Sequence, residues 1–499
     1  MQKLETDYLV IGSGAMGMAF CDSLITETNA NIIIVDKHHQ PGGHWNDAYP
    51  FVRLHQPSAF YGVNSKRLGN NTIDATGLNK GLYELATNSE VCGYFDQVMQ
   101  RQFLGSGRVR YFPSCEYQGD GQFVSLLSGE KYSVSFKKEV DSTYMNVVVP
   151  SKRPPPFSLE GDAKCAPLND LPILSKKYDD FVIVGAGKTA IDAVLFLLKN
   201  DVKPERISWI MPRDSWILDR AQIQPTLESI GTTLATQIIP GSQSDNIDDF
   251  FDKISEAGGL LRIDDNVKPT MYRCSTVTKA ELEQLKRVKN IVRKGRVKSI
   301  SNTEIVLEHG SIATSLETLH IDCAGDGLAK RQPTPIFKGQ KITLQSVRTC
   351  QQVFSAGLLG YVEANYQDDE KKNELCTPVP HPNTDIDFLK NNLADAVNSE
   401  KWTKDPGLKK WLQNSRLNFE SHILNASPMI KILSFLSKIP FLRLSNKADE
   451  AQQKATKNIK RLLVFVKQDV EVEERKDLMS KDISTVWLEY KPHKGKGKS

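Results

Sequence analysis

No two of the eight cysteines form a C-x-x-C pair; Cys21, Cys92, Cys115, Cys165, Cys274, Cys323, Cys350 and Cys376 stand singly. That excludes a zinc ribbon and a thioredoxin-reductase-type dithiol, and reduced thiols are expected. The nine histidines show no metal-ligand spacing, so no metal is expected. Long apolar runs are also missing. Stretches such as Leu462 to Val466 fall far short of the ~20 residues that a spanning helix needs. Charge of one sign is scarce, with a net +4 from 64 basic and 60 acidic residues. This gives no case for nucleic acid or an anionic membrane as the main partner. A cleaved leader is not expected, because an apolar strand at Tyr8–Ile11 already feeds a glycine turn at Gly12. A cytoplasmic location is expected.

What is present fits a globular enzyme. The chain has 499 residues, 39% hydrophobic and 25% charged, enough for two domains and an extension. It opens as strand (Asp7–Ile11), glycine turn (Gly12–Gly17), helix to about Thr26 and strand (Asn31–Val35), a βαβ pattern that implies a parallel sheet. A long helix is predicted over Leu82–Leu104. Short strands are predicted at Val109–Phe112, Phe123–Leu127 and Tyr132–Phe136. Pro154–Pro156 breaks the chain and marks a crossover. The opening pattern then repeats as strand Phe181–Val184, turn Gly185–Ala190, helix Ile191–Leu198 and strand Ile207–Ile210. Leu319–Gly325 reads as a return strand. Asp385 to Val466 reads as helical, broken at Pro406, Pro428 and Pro440, before a basic tail with Lys491, Lys494, Lys496 and Lys498. The apolar, basic segment Met429–Leu444 is expected to dock on the protein's own core, with a membrane surface as the alternative.

The first turn, Gly12-x-Gly14-x-x-Gly17, has the glycines a dinucleotide needs. They provide a tight turn, close backbone approach to a pyrophosphate, and close helix–strand packing, and the helix N-terminus faces the phosphates. Asp36, with Lys37 beside it, ends the next strand, where an acid binds ribose hydroxyls. The second turn, Gly185-x-Gly187-Lys188-Thr189-Ala190, has Met211 where that acid would stand and Arg213 two residues on. An absent acid and an added guanidinium suit the 2′-phosphate of NADPH, with Lys188 adding charge. The two motifs therefore point to two cofactors, FAD at the first and NADPH at the second.

Residues 41–65 add Pro41-Gly-Gly43-His44-Trp45, Tyr49-Pro-Phe-Val-Arg53-Leu-His55-Gln56 and Asn64-Ser65-Lys66. With these, the chain resembles the class B flavoprotein monooxygenases, the flavin-containing and Baeyer–Villiger enzymes. The resemblance spans about residues 5–65 and 180–215, more loosely 315–365, and none of the C-terminal region. It implies that Gly42, Gly43 and Trp45 lie along the flavin. It also implies that Tyr49 through Arg53, with His55 in place of an acid and Gln56 next to it, line the flavin. Asn64 would sit at its reactive face. The family's fingerprint before the second turn aligns with Leu159–Asn169, where Cys165 replaces the histidine and Asn169 the last aromatic residue.

The expected fold is α/β, with two interleaved Rossmann-like dinucleotide-binding domains and a C-terminal helical region. The FAD domain takes residues 1–150 and returns at 326–384. The NADPH domain takes 175–325, the helical region 385–490, and a basic disordered tail 491–499. The expected activity is that of an NADPH-reduced flavin monooxygenase acting on a small molecule. A reductase without oxygenation, and a non-catalytic nucleotide sensor, are the alternatives.

Overall fold

The apolar runs at Asp7–Ile11 and Phe181–Val184 become inner strands of two parallel sheets in the computed structural model of the protein, which describes residues 1–325, 331–419, 421 and 440–466. The chain opens with β1 (Gln2–Ile11), α1 (Ala15–Glu27) and β2 (Ile32–Val35). Next come α2 (Asn88–Val98), β3 (Val109–Phe112), β4 (Cys115–Gly119), β5 (Gln122–Ser125) and β6 (Lys131–Asp141). β7 (Ser158–Leu159), β8 (Cys165–Pro167) and α3 (Leu171–Leu174) lead to β9 (Asp180–Val184), α4 (Lys188–Lys199) and β10 (Ile207–Ile210). Then follow β11 (Ser215–Asp219), α5 (Leu227–Thr233), α6 (Ile239–Ser242), α7 (Ile247–Glu256), β12 (Leu260–Leu261), β13 (Met271–Val277) and α8 (Lys279–Leu285). β14 (Ile291–Val292), β15 (Val297–Ile300), β16 (Glu304–Leu307), β17 (Gly310–Ala313) and β18 (Thr318–Asp322) precede β19 (Phe337–Lys338) and β20 (Lys341–Thr343). Helices α9 (Gln352–Asn365), α10 (Asp369–Leu375), α11 (Asp385–Lys404), α12 (Pro406–Asn414) and α13 (Pro440–Val466) follow.

The first sheet runs β19-β20-β6-β1-β2-β3 and is parallel from β20 to β3; β5 and β4 extend it antiparallel from β6. The second runs β14-β10-β9-β18-β8 and is parallel throughout. Within these orders β14, β10, β9 and β18 stand to one another as β3, β2, β1 and β6 do. Inner parallel strands are covered on both faces, which is why these runs are apolar at nearly every position. A three-stranded sheet, β12-β11-β13, follows the second one, and a small meander, β17-β16-β15, pairs with β7. Helices α1 and α9 share a core with the first sheet through residues such as Phe20, Leu24, Phe354 and Leu358. α11 and α13 close over the three-stranded sheet, with Phe388, Leu389, Ile459 and Leu462 packed on Trp216, Phe251 and Tyr272.

Three expectations are corrected. The helix set at Leu82 begins at Asn88, because Thr87 caps it in a reciprocal box with Glu90, and it gives way to a π-turn at Met99–Phe103. The strand set at Phe123–Leu127 ends at Ser125, where the chain turns into β6. Cys165, which replaces the fingerprint histidine, sits on β8 opposite His320. Two of the cysteines expected to be reduced, Cys274 and Cys350, are joined in a disulfide across 76 residues of chain. Pro406 and Pro440 start helices, where a missing N–H costs nothing. Pro428, most of Met429–Leu444, and the tail from Lys491 lie outside the described residues. Among the described residues no helix is long and apolar enough to cross a membrane.

Candidate cofactor-binding site

The two glycine turns are built alike, bond for bond. Gly12 N–H donates to Val35 O at 2.8 Å, and Gly185 N–H donates to Ile210 O at 3.0 Å. Both glycines hold positive φ, +97° and +134°. A Cβ on Gly12 would lie 2.7 Å from Ser142 Oγ, just past β6; one on Gly185 would lie 2.6 Å from Cys323 O, just past β18. α1 starts on Gly14 and α4 on Gly187, and neither has a side-chain cap or an acid in its first turn. The first N–H groups of each helix are thus left for an anion, as a pyrophosphate requires. The turns differ at their third position. A Cβ on Gly17 would stand 2.2 Å from Gly12 O, whereas the second turn accommodates Ala190, fully buried.

Past the second strand of each unit the symmetry holds in the backbone and breaks in the side chain. Asp36 N–H donates to Phe112 O, and Met211 N–H to Val292 O, each at 3.0 Å. Asp36 is buried, and its carboxylate is fully engaged. Oδ2 accepts Ser13 N–H (2.5 Å) and Oγ–H (2.7 Å); Oδ1 accepts His38 N–H (2.8 Å) and faces His38 Nδ1 (3.1 Å). Burial opposes its ionisation, but the His38 and Ser13 hydrogen bonds win and hold the carboxyl below its usual range. His38 bridges on to Asp47 at 2.8 Å, and Lys37 is exposed.

Met211 is buried at the matching point of the second unit. Arg213 Nη2 donates to Asn383 Oδ1 at 3.2 Å, and Arg273 donates to the same oxygen at 2.6 Å, so two guanidinium groups stand together. Asp214, next to Arg213 in the chain, is buried in a two-pronged contact with Arg293, at 2.8 and 3.0 Å. Lys188 is not directed at open space; its ammonium pairs with Asp192 one helical turn on, and Thr189 is half-buried.

The segment 41–65 crosses between the two turns. Gly43 packs against Gly14, so close that a Cβ on Gly43 would lie 2.9 Å from the Gly14 Cα. Trp45 is buried and donates from Nε1 to Tyr61 OH at 2.7 Å. Tyr49 reaches the second unit, its hydroxyl donating to Asp192 at 2.6 Å, and Phe51 stacks on Phe196 with ring centres 4.2 Å apart. Arg53 is exposed and Gln56 half-buried. The His55 carbonyl accepts Arg220 Nε–H at 3.0 Å, while its Nδ1 is sealed from solvent with no protein partner. Burial, then Lys188, Arg220 and His381, push the His55 imidazole down to about 3, so it is neutral. His44 is likewise held neutral, at about 4, mainly by burial. Asn64 lies toward the C-terminal region. Its Oδ1 accepts Ser415 Oγ–H at 2.9 Å, and Ser65 N–H binds Asp22 on α1 at 2.9 Å.

No family model matches the chain. The uncharacterized proteins Rv2000 of Mycobacterium tuberculosis and Mb2023 of Mycobacterium bovis are each 51% identical to it over 438 residues, 85% of this chain and 79% of theirs. The chain belongs to their family. Among solved structures, this family member is similar to the cyclohexanone monooxygenase of Rhodococcus sp. Phi1 bound to NADP+, at 13% identity and TM-score 0.45, covering 75% of this chain and 89% of that one. It is also similar to a flavin-containing monooxygenase from Stenotrophomonas maltophilia, at 12% identity and TM-score 0.38 (75% and 99% covered), and to a steroid monooxygenase bound to NADP, at 12% identity and TM-score 0.45 (72% and 85%).

Some residues that build the site in this family member escaped sequence reasoning. Arg220 is buried, pairs with Glu281 at 2.9 Å, and ties the first unit's His55 and Asn79 to the second unit. Arg416 donates to the carbonyls of Ala59, Tyr61 and Lys66, clamping the loop that carries Asn64. No motif marks either one. Asp192 had a local signal, since it lies four residues after Lys188 on a predicted helix. At the fingerprint positions, Asn169 donates to Asp47 O at 3.0 Å, and burial drives the Cys165 thiol up to about 12. Cys165 packs against the buried cluster of Phe157, Val182 and Ile300.

Proposed function

We propose that this chain is an FAD-dependent oxidoreductase reduced by NADPH, working as a monooxygenase on a small organic substrate. One observation carries the reading: two glycine turns of the same hydrogen-bonded construction, one followed by buried Asp36 and the other by Met211 and Arg213. In this reading two Rossmann-like units interleave. The FAD unit is 1–150 with its return at 326–384, the NADPH unit is 175–325, and a helical region follows at 385–490. The free N–H groups of α1 fit the FAD pyrophosphate, and those of α4 fit that of NADPH. When bound, the flavin supplies hydride acceptance from the nicotinamide and reaction with oxygen.

The chain's own residues bind, orient and exclude water. Gly12, Gly14 and Gly17 shape the first phosphate seat, and Asp36, with Ser13 and His38 giving way, takes the ribose. Gly43, Trp45, Arg53, His55 and Gln56 line the flavin. Neutral His55, with a sealed and unpartnered Nδ1, offers one hydrogen bond without bringing a charge. Gly185, Gly187, Lys188, Thr189 and Ala190 hold the second pyrophosphate, and Arg213 the 2′-phosphate. Asn64 supplies an amide donor near the flavin. The second reading, a reductase without oxygenation, is favoured by Cys165 and Asn169 standing in the fingerprint positions.

The test is anaerobic reduction of the reconstituted protein by NADPH and by NADH, followed by oxygen. The protein is expected to bind FAD and to prefer NADPH. Arg213→Ala is expected to raise the KM for NADPH roughly 10–100-fold with kcat unchanged, because the phosphate is remote from the nicotinamide. Absence of flavin reduction by either nucleotide refutes the assignment. Stoichiometric hydrogen peroxide with every candidate substrate selects the reductase reading.

A further inference from the structure

Cys274 lies on β13, in the three-stranded sheet that follows the second parallel sheet. Cys350 lies two residues before α9, the helix that packs on α1 in the first unit. Their disulfide therefore joins the two halves of the molecule and closes the stretch of chain that crosses from one to the other. We propose that Cys274 and Cys350 form a reversible thiol–disulfide site, a covalent clasp between the two units that dithiol reductants open and hydrogen peroxide closes.

Three observations carry this, and none depends on the cofactor assignment. Cys350 is half-buried and is the more exposed of the two, whereas Cys274 is buried. Both residues hold the backbone in the left-handed region, at φ +57° and +58°. L-residues with a Cβ adopt that region at a cost, so both ends of the bond sit on strained backbone. The bond also sits at a junction where α11 meets the three-stranded sheet through apolar packing, Phe388 on Tyr272, and through hydrogen bonds. Next to Cys350, Thr349 N–H donates to Asp395 on α11 at 2.9 Å; next to Cys274, Arg273 donates to Asn383, just before α11, at 2.6 Å. Opening the clasp leaves those contacts to hold the junction. By contrast, the free cysteines Cys21, Cys115, Cys323 and Cys376 are buried, with thiols pushed up by that burial.

The chemistry balances in both directions. In opening, one thiolate of a dithiol attacks the Cys350 sulfur and Cys274 leaves as thiolate and takes up a proton. The second thiol of the reductant then displaces Cys350, giving two protein thiols and an oxidised reductant. In closing, the Cys350 thiolate attacks hydrogen peroxide to give a sulfenic acid and hydroxide, and Cys274 displaces that oxygen as water. The net reaction converts two thiols and one peroxide into one disulfide and two waters.

The experiment counts thiols in the full chain. Under denaturing conditions a maleimide is expected to label six of the eight cysteines in the peroxide-treated protein and all eight after native incubation with dithiothreitol. Mass spectrometry should identify the Cys274–Cys350 peptide pair, and renewed peroxide should restore it. Amide exchange across 271–277 and 346–356 should quicken at least tenfold on native reduction, and a Cys274→Ser, Cys350→Ser double variant should lose that response. A bond that opens only in denaturant, or thiols that peroxide leaves at eight, overturns the proposal. So does an exchange rate that is the same in both redox states. Because the wild-type thiol count decides the matter alone, failure of the double variant to fold leaves the test intact.

Discussion

Replacing Asp36 by asparagine removes one charge and almost no volume, and the hydrogen bonds around the carboxylate set the cost. It faces donors at both oxygens, Ser13 N–H and Oγ–H at one and His38 N–H and ring at the other. An amide has only one oxygen. Whichever way it turns, its NH2 meets a backbone N–H, and one buried donor loses its acceptor at about 1–3 kcal/mol. The apoprotein is expected to lose that much stability in urea. The adenosine ribose loses a charged acceptor as well, worth about 1.5–3 kcal/mol, so the FAD Kd should rise roughly 10–100-fold. The assay is titration of apoprotein with FAD, read by quenching of flavin fluorescence. Asp47→Asn is the control, because it strips His38 of its other carboxylate and leaves every Ser13 contact in place. It is expected to leave the FAD Kd unchanged. Asp36→Asn protein that binds FAD as tightly as wild type, or an Asp47→Asn loss of equal size, would refute the reasoning.

Two further outcomes arise from buried charge. Glu363 and Lys372 pair at 2.7 Å with both side chains under 5% exposed, and Tyr8 donates to the same carboxylate at 3.0 Å. Glu363→Ala should cost up to about 3–5 kcal/mol in urea by removing the buried ammonium's nearest partner and leaving it only Asp369 at 3.7 Å, while Glu363→Leu with Lys372→Met should recover most of it; a double variant no better than the single one contradicts this. His38 is raised above its usual 6.5, first by its hydrogen bond to Asp36 and then, against burial, by Asp47. A raised folded value means its contribution is complete below pH 6.5 and is lost as pH climbs through the folded value, so wild-type Tm should fall over this range. His38→Gln should flatten the fall, and parallel Tm curves from about pH 5 to 9 would remove His38 as its source.

The glycine turns were legible because Gly12, Gly17 and Gly185 answer backbone demands that a Cβ would break, and Asp36 because a strand's length fixes where its end must fall. Arg220 and Arg416 were not legible, since each acts on carbonyls more than 150 residues away, and a carbonyl leaves no mark in a sequence. The disulfide was hidden for a related reason: spacing along the chain says nothing about which of eight single cysteines meet. The helix start at Asn88 was written in Thr87 and Glu90 and was overlooked in favour of the longer apolar pattern. The pairing of Lys188 with Asp192 was not legible from the turn motif alone, and Asp192 in turn anchors Tyr49.

The register between β6 and β20 has a consequence for how the chain is made. Glu139 pairs with Lys341, and Val140 with Ile342, so the inner edge of the first sheet is completed by residues that emerge about 200 positions later. At roughly 5–20 residues per second on a ribosome, that edge stays open for about 10–40 s while the whole second unit is synthesised. During that interval β6 offers unpaired N–H and C=O groups beside apolar Val140, the kind of surface that other nascent chains adhere to. Production of this protein should therefore respond to chaperones that shield sheet edges more than to its final stability.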